Sequence, residues 1–196
     1  MISFTVKGLK IGMSFSFFAV IALLVSFEGT SYVLLGLIAC ILHELGHISA
    51  MCLYGVSPKE IVFYGAGIKI VPNYNKLLPL RKEIIILLAG SISNFQIFGA
   101  LYFFSRGDFH AQLFAAINLI IGIFNLIPFK YFDGGRVLEL VLSESSAKNP
   151  YFIRRTISMV MIMLLLALVV IMAVNGTVNP SFYFSIGYIV FSELML

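Results

Sequence analysis

The fold is decided by residues 31–53, which read SYVLLGLIACILHELGHISAMCL. The stretch is long enough to cross a bilayer as a helix, which takes about 20 residues. Its apolar sequence is interrupted by three ionisable side chains close together, those of His43, Glu44 and His47. Ionisable groups at membrane depth are costly and are by default functional. This stretch therefore predicts a transmembrane helix that carries a chemical site.

The composition of the whole chain supports a membrane protein. Of its 196 residues, 60% are hydrophobic and 11% are charged, whereas about a quarter of an average soluble domain is charged. These values exclude a compact soluble domain and also a disordered chain, which needs high charge. The net charge of +4 comes without a basic cluster longer than Arg154-Arg155, so nucleic acid is not an expected partner. Two cysteines, Cys40 and Cys52, do not make a disulfide framework.

Long runs with at most one Asp, Glu, Lys or Arg mark the expected membrane spans, because charge is costly in hydrocarbon. Six runs qualify, at residues 11–27, 31–53, 84–105, 110–127, 157–174 and 181–195. The last two are separated by a turn sequence at Asn175–Pro180. The first run follows two lysines as in a signal peptide, but Ser26-Phe27-Glu28-Gly29 offers no cleavage site of small residues. We therefore expect an uncleaved first span.

The distribution of cations predicts the orientation. With six spans, both termini lie on one side of the membrane together with the loops 55–82 and 128–155. That side carries all of the 13 Lys and Arg residues except Arg106. Cations concentrate on the cytoplasmic side of membrane proteins. We therefore expect a multi-pass protein of the cell membrane with both termini in the cytoplasm.

The first long loop has its own pattern. Residues Ile61–Val71 are rich in β-branched and aromatic residues around Gly65-Ala66-Gly67, which favours two short strands. Non-helical backbone at membrane depth is tolerated only against protein or water. The expected fold is thus an all-α polytopic membrane protein with about six transmembrane helices and a short membrane-associated β-hairpin.

The ionisable cluster of the second span has the pattern H-E-x-x-H. Residues four apart share a helix face, so His43 and His47 can present their imidazoles to one Zn²⁺ ion. Zinc lowers the pKa of a bound water to about 7, and the neighbouring Glu44 can take its proton. The alternative is a pair of structural histidines. Three ionisable groups within five residues of an uncharged span argue against it.

A catalytic zinc site needs a third protein ligand, and Asp133 is the best placed acid. It follows Pro128, which ends the fourth span, and it precedes Gly134-Gly135. Such a segment can fold back to a site at membrane depth on the side where His43 lies. On spacing alone, however, an ordinary N-cap of a helix at Arg136–Ser143 explains Asp133 equally well.

Three motifs in this order resemble those of the site-2 proteases, the intramembrane zinc metalloproteases. They are His43-Glu44-Leu45-Gly46-His47, then Gly90-x-x-x-Asn94, and then Asn125-x-x-Pro128-x-x-x-x-Asp133-Gly134. Six spans suit the subgroup that resembles stage IV sporulation protein FB. One departure is Ser91, which stands where the family often has proline.

The resemblance implies zinc ligation by His43, His47 and Asp133, with Glu44 as the general base. It also implies that Asn125, and with it Asn94, binds the substrate.

The implied activity is that of a zinc metalloendopeptidase, which cleaves membrane-anchored proteins near the cytoplasmic face in regulated proteolysis. Its surroundings would be the lipid bilayer and membrane proteins that regulate it. Relatives often carry a CBS or a PDZ domain. We expect neither here, and interpret residues 1–196 as a single transmembrane metalloprotease domain.

Two functions of other classes remain open from the sequence. The first is a catalytically inactive member that binds membrane partners, although His43, Glu44, His47 and Asp133 are all present. The second is a zinc or proton transporter that uses the same ligands as a permeation site. A transporter should carry further polar residues along several spans, and few stand out beyond Asn94, Gln96, Asn118 and Asn125. A membrane metalloprotease of another class would need a glutamate from a helix as its third ligand.

Overall fold

The apolar runs of the sequence form helices, and strands form at the N-terminus and in the first long loop. A computed structural model describes residues 1–6, 8–65, 67–73, 78–105, 107–176 and 180–194. Arg106, Met195 and part of the turn at Asn175–Pro180 lie outside the described residues. The chain divides into two units, Met1–Asn125 and Leu126–Leu196, and each is described by itself.

The first unit combines four strands with four helices. In chain order these are β1 (Ile2–Val6), β2 (Leu9–Met13), α1 (Phe15–Glu28), α2 (Thr30–Leu53), β3 (Ser57–Tyr64), β4 (Gly67–Asn73), α3 (Leu80–Phe104) and α4 (Phe109–Leu126). Gly29 separates α1 from α2 with a φ of +85°, a left-handed conformation that suits glycine. Gly29 is the only residue between the two helices, and α1 and α2 contact each other.

The strands form one sheet in the order β1-β2-β3-β4. The outer pairs are antiparallel, whereas β2 and β3 are parallel. Parallel strands need a long crossover connection, and here α1 and α2 supply it. Lys10 lies opposite Glu60 in this parallel pair, and their side chains form an ion pair at 2.9 Å. The sheet thus ties the N-terminus to the segment that follows α2.

The sheet corrects the expectation of an all-α fold. The two strands expected at Ile61–Val71 are present, but they belong to a four-stranded sheet rather than to an isolated hairpin. No local signal predicts the N-terminal strands, because Leu9–Met13 runs without a turn signal into the apolar residues of α1. Strand β2 also shortens the first expected span: the backbone N–H of Ser14 donates to the Phe63 carbonyl at 2.8 Å, and α1 starts only at Phe15.

Among the described residues, four helices are long and apolar enough to cross a membrane. They are Thr30–Leu53, Leu80–Phe104, Phe109–Leu126 and Pro150–Val174. The two other expected spans form shorter helices, α1 with 14 residues and the C-terminal helix with 15 residues. Both fall short of the length of about 20 residues that crosses a bilayer untilted. Within the described residues, length and composition therefore confirm four of the six expected spans.

The second unit consists of α5 (Asp133–Glu144), α6 (Pro150–Val174) and α7 (Pro180–Leu194). Helix α6 begins with two start signals. Pro150 occupies its first turn, and Asn149 caps it by accepting from the Phe152 N–H at 3.1 Å. Helix α5 is amphipathic and begins at Asp133, directly after the turn that follows Pro128.

Candidate metal centre in the α2–α3 pair

One face of α2 carries both histidines of the H-E-x-x-H motif into the protein. His43 is 4% exposed and His47 is 8% exposed, whereas Ile41 and Leu45 on the opposite face are 46% and 48% exposed. The spacing of four residues places the two imidazoles one turn apart on the buried face. Their ring centroids are 4.7 Å apart at an interplanar angle of 84°.

Two glycines let α2 and α3 approach each other at this level. A Cβ on Gly46 would lie 2.6 Å from the carbonyl oxygen of Ala89. A Cβ on Gly90 would lie 2.5 Å from His47 Nε2 and 2.6 Å from His43 Nε2. Glycine at position 90 therefore leaves a space directly beside the two Nε2 atoms.

The other ring nitrogens are held by acceptors on α3. His47 Nδ1 lies 2.7 Å from the carbonyl oxygen of Ile86, and His43 Nδ1 lies 2.6 Å from Asn94 Oδ1. A carbonyl oxygen only accepts, so each Nδ1 carries a proton, and in the neutral imidazole the lone pair is then on Nε2. Metal-binding histidines are commonly oriented in this way by a hydrogen bond from the second nitrogen.

The two Nε2 atoms are 3.1 Å apart. Two ligand nitrogens of a tetrahedral zinc ion, each about 2.0–2.1 Å from the metal, are about 3.3 Å apart. The Glu44 carboxylate completes a group in which the candidate ligand atoms of His43, Glu44 and His47 lie within 4.8 Å of one another. The donor atoms, their tautomers and the space at Gly90 thus fit a zinc ion.

Asp133, the third expected ligand, lies in the second unit. It is 9% exposed and occupies the first residue of α5, where Phe132 holds the N-cap position. A side chain on Gly134 would overlap the carbonyl of Leu126, and one on Gly135 would overlap that of Phe129. The two glycines therefore permit a tight turn before α5. Ligation of zinc by Asp133 stays a prediction.

The two asparagines expected at the substrate differ in their surroundings. Asn125 is half-buried, and its Nδ2 donates to the Ile121 carbonyl of its own helix at 3.0 Å. Asn94 is fully buried, and its amide bonds to His43, to the Ala39 carbonyl at 3.3 Å and to Asn118 at 2.8 Å. These contacts give Asn94 a role in orienting His43, which differs from the expected role at the substrate.

Glu193 has a structural role that its position in the sequence does not indicate. Its Oε2 accepts from the backbone N–H of Lys130 at 3.0 Å, and its Oε1 accepts from Ser158 Oγ at 2.8 Å. Helix α7 thereby holds the loop that leads from Pro128 to Asp133. No local signal predicts a contact between residues 63 positions apart.

Comparisons with known proteins agree with this geometry. Residues 108–168 match the model of peptidase family M50. The chain is 28% identical over 157 residues to the zinc metalloprotease MJ0392 of Methanocaldococcus jannaschii, an alignment that covers 72% of this chain and 45% of that protein. It is 29% identical over 114 residues to stage IV sporulation protein FB of Bacillus subtilis, covering 55% of this chain and 39% of that protein.

The fold also has a counterpart among solved structures. The site-2 protease from Methanocaldococcus jannaschii superposes with a TM-score of 0.63 and 27% identity, covering 88% of this chain and 87% of that one. The chain spans less than half the length of the two curated relatives. The motifs, the family model over residues 108–168 and the fold agree, and they confirm that this chain resembles the site-2 proteases of peptidase family M50.

Proposed function

We propose that this protein is an intramembrane zinc endopeptidase that hydrolyses peptide bonds of membrane-anchored proteins near the cytoplasmic face. The observation that carries the proposal is the pair of Nε2 atoms of His43 and His47, 3.1 Å apart and beside Glu44, inside an apolar helix. The family model and the relatives named above support the same activity.

His43 and His47 would hold the zinc ion, and Asp133 is the proposed third ligand. Bound there, zinc supplies a Lewis acid that polarises the scissile carbonyl and lowers the pKa of a water to about 7. The Asn94 and Ile86 acceptors hold a proton on the Nδ1 of each imidazole and leave its Nε2 as the atom that can bind the metal.

Glu44 is the proposed general base. It follows His43 directly, so its side chain is rotated by about 100 degrees from that of the histidine and remains close to the ligand nitrogens. The carboxylate takes a proton from the attacking water and then delivers it to the departing amide nitrogen.

The substrate must be unwound before it is cut, because a transmembrane helix hides its carbonyls in its own hydrogen bonds. Strand β3 is paired on both sides, so it has no free edge over Glu60–Phe63. In the described part of the sheet β4 pairs only with β3. We place the unwound strand along β4, by strand addition, with the Asn125 amide as a further hydrogen-bonding group.

The proposed setting is the cell membrane, with both termini in the cytoplasm and with α1 and α7 also inserted in the bilayer. Residues 1–196 would act as one metalloprotease domain under the control of membrane proteins. Fusing a topology reporter to each terminus tests the orientation, since a signal from outside the cell at either end would contradict it.

The activity is tested with Glu44→Gln and a matched control, Glu139→Gln, which changes an exposed glutamate of α5. Both proteins are reconstituted in vesicles with zinc and a single-span reporter. Glu44→Gln should lower cleavage by at least about 100-fold, the usual size of a general-base effect, while it keeps its zinc. Cleavage at the wild-type rate by zinc-loaded Glu44→Gln would refute the mechanism. Zinc flux across the vesicle without cleavage by the wild type would favour a transporter.

A further inference from the structure

A second buried amide lies behind the metal centre, in α4. Asn118 and Asn94 are both fully buried, and Asn118 takes no part in the chemistry proposed above. We propose that Asn118 is a positioning residue for the zinc centre: acting through Asn94, it fixes the tautomer that makes His43 a ligand. The inference rests on the metal-binding part of the proposed function.

The carbonyl of Phe114 fixes the orientation of the Asn118 amide, and the directions of the other hydrogen bonds follow from it. Asn118 Nδ2 lies 2.8 Å from the carbonyl oxygen of Phe114, which only accepts, so the amide nitrogen must be on that side. Asn118 Oδ1 then faces Asn94 at 2.8 Å and accepts from its Nδ2. The Ala39 carbonyl accepts from the same Nδ2 at 3.3 Å.

These two acceptors decide the orientation of the Asn94 amide. With Nδ2 directed at Asn118 and Ala39, Asn94 Oδ1 is left facing His43 Nδ1 at 2.6 Å. His43 must donate to that oxygen, so its proton is on Nδ1 and its Nε2 lone pair points to the metal centre. The relay runs from α4 through α3 to α2.

The flipped state shows what the relay prevents. If the Asn94 amide turned over, its NH2 group would face His43 Nδ1, and His43 would move its proton to Nε2. That proton would point at His47 Nε2, 3.1 Å away, and the pair could no longer share a metal. The flip would also set Asn94 Oδ1 against two acceptor oxygens, those of Asn118 and Ala39, which is unfavourable in a buried site.

The two histidines therefore depend on different supports. His47 donates directly to a backbone carbonyl, that of Ile86, which cannot turn over. His43 donates to the side-chain amide of Asn94, and a side-chain amide can turn over. A change at Asn118 should for this reason affect the tautomer of His43 and leave that of His47 unchanged.

The test is imidazole ¹⁵N NMR of the metal-free full chain together with zinc titration. The chain has only three histidines, so few ring resonances need assignment. Asn118→Leu removes the relay acceptor. Asn118→Ser also removes it, but its hydroxyl can bond to the Phe114 carbonyl within the helix, which keeps the test open if the leucine variant does not fold.

Both variants should give His43 a mixture of tautomers and raise the Kd for zinc about 10-fold, the lower end of the effect for residues that support a ligand. Asn118→Asp should restore both readouts, because a buried protonated acid offers one acceptor and one donor in the same places. The control is Gln112→Leu, which removes amide bonds from α4 to the carbonyl of Leu101 in α3 and to that of Ser105 directly after α3, outside the relay. It should change neither readout.

The proposal is overturned if folded Asn118→Leu or Asn118→Ser keeps His43 protonated on Nδ1 with a zinc Kd within about 2-fold of wild type. It is equally overturned if Asn118→Asp behaves like the leucine variant. A wild-type protein that shows the Nδ1 proton on His43 and binds zinc, yet cleaves no reporter, would refute the proposed protease activity and support the relay.

Discussion

Asn94 Oδ1 lies 2.6 Å from His43 Nδ1 and joins α3 to the ligand helix α2 across 51 positions of sequence. This contact fixes which nitrogen of His43 is free to bind a metal. It links two of the three sequence motifs, the histidine motif and Gly90-x-x-x-Asn94, in one hydrogen bond.

Replacing Asn94 separates its role at the histidine from a role at the substrate. Asn94→Leu removes the acceptor, so we expect the zinc Kd to rise about 10–100-fold. Asn94→Asp keeps an acceptor for His43 and should hold zinc within about 10-fold of wild type. Isothermal titration of the detergent-solubilised protein with zinc measures both. If Asn94→Leu binds zinc as tightly as the wild type but cleaves more slowly, Asn94 acts in substrate binding and not in orienting His43.

Gly90→Ala should disable the metal centre by steric overlap alone. The added methyl group would lie 2.5–2.6 Å from the two Nε2 atoms, closer than nonbonded atoms approach, so the imidazoles must move. We expect zinc content to fall several-fold in a protein that still folds. The matched control is Gly99→Ala on the same helix, where an added Cβ meets nothing within 4 Å. If both variants keep their zinc, the space at Gly90 is not part of the site.

Glu193 should stabilise the loop that precedes Asp133. Glu193→Ala leaves the Lys130 N–H without this acceptor and leaves the Ser158 hydroxyl with only the Pro128 carbonyl at 3.4 Å, at a cost of about 1 kcal/mol for a half-buried group. Hydrogen exchange at the Lys130 amide should accelerate about 5-fold. Glu193→Gln keeps one acceptor oxygen, so its Lys130 exchange rate should lie between those of the wild type and Glu193→Ala. The control Glu144→Ala, at an exposed position of α5, should leave the Lys130 exchange rate unchanged. An unchanged rate in Glu193→Ala would show that Glu193 does not stabilise the loop.

The sequence predicts those features of the fold and the site whose physical cause is local. The spacing of His43 and His47 fixes their common helix face, and the apolar residues around them predict a span. Pro128 and the glycines after Asp133 indicate a break between two helices. In each case the physical cause lies within one or two turns of chain.

Pairing between residues far apart in the chain cannot be predicted from the sequence alone. The residues Leu9–Met13 form a strand because β3 is available beside them 50 positions later, and nothing within the segment distinguishes it from the start of a span. The amide of Asn118 is visible in the sequence as a polar group in an apolar helix, but its partner on α3 is not. The length of α1 likewise depends on where strand β2 ends.

Metal analysis tests the central claim most directly, with purified wild type compared with His43→Ala, Asp133→Ala and the control His110→Ala. The account predicts about one zinc ion per chain in wild type and in His110→Ala, and almost none in the other two, because a catalytic site needs three protein ligands. Zinc retained by Asp133→Ala and lost by His43→Ala would remove Asp133 from the site. Zinc retained by His43→Ala would contradict the metal centre itself.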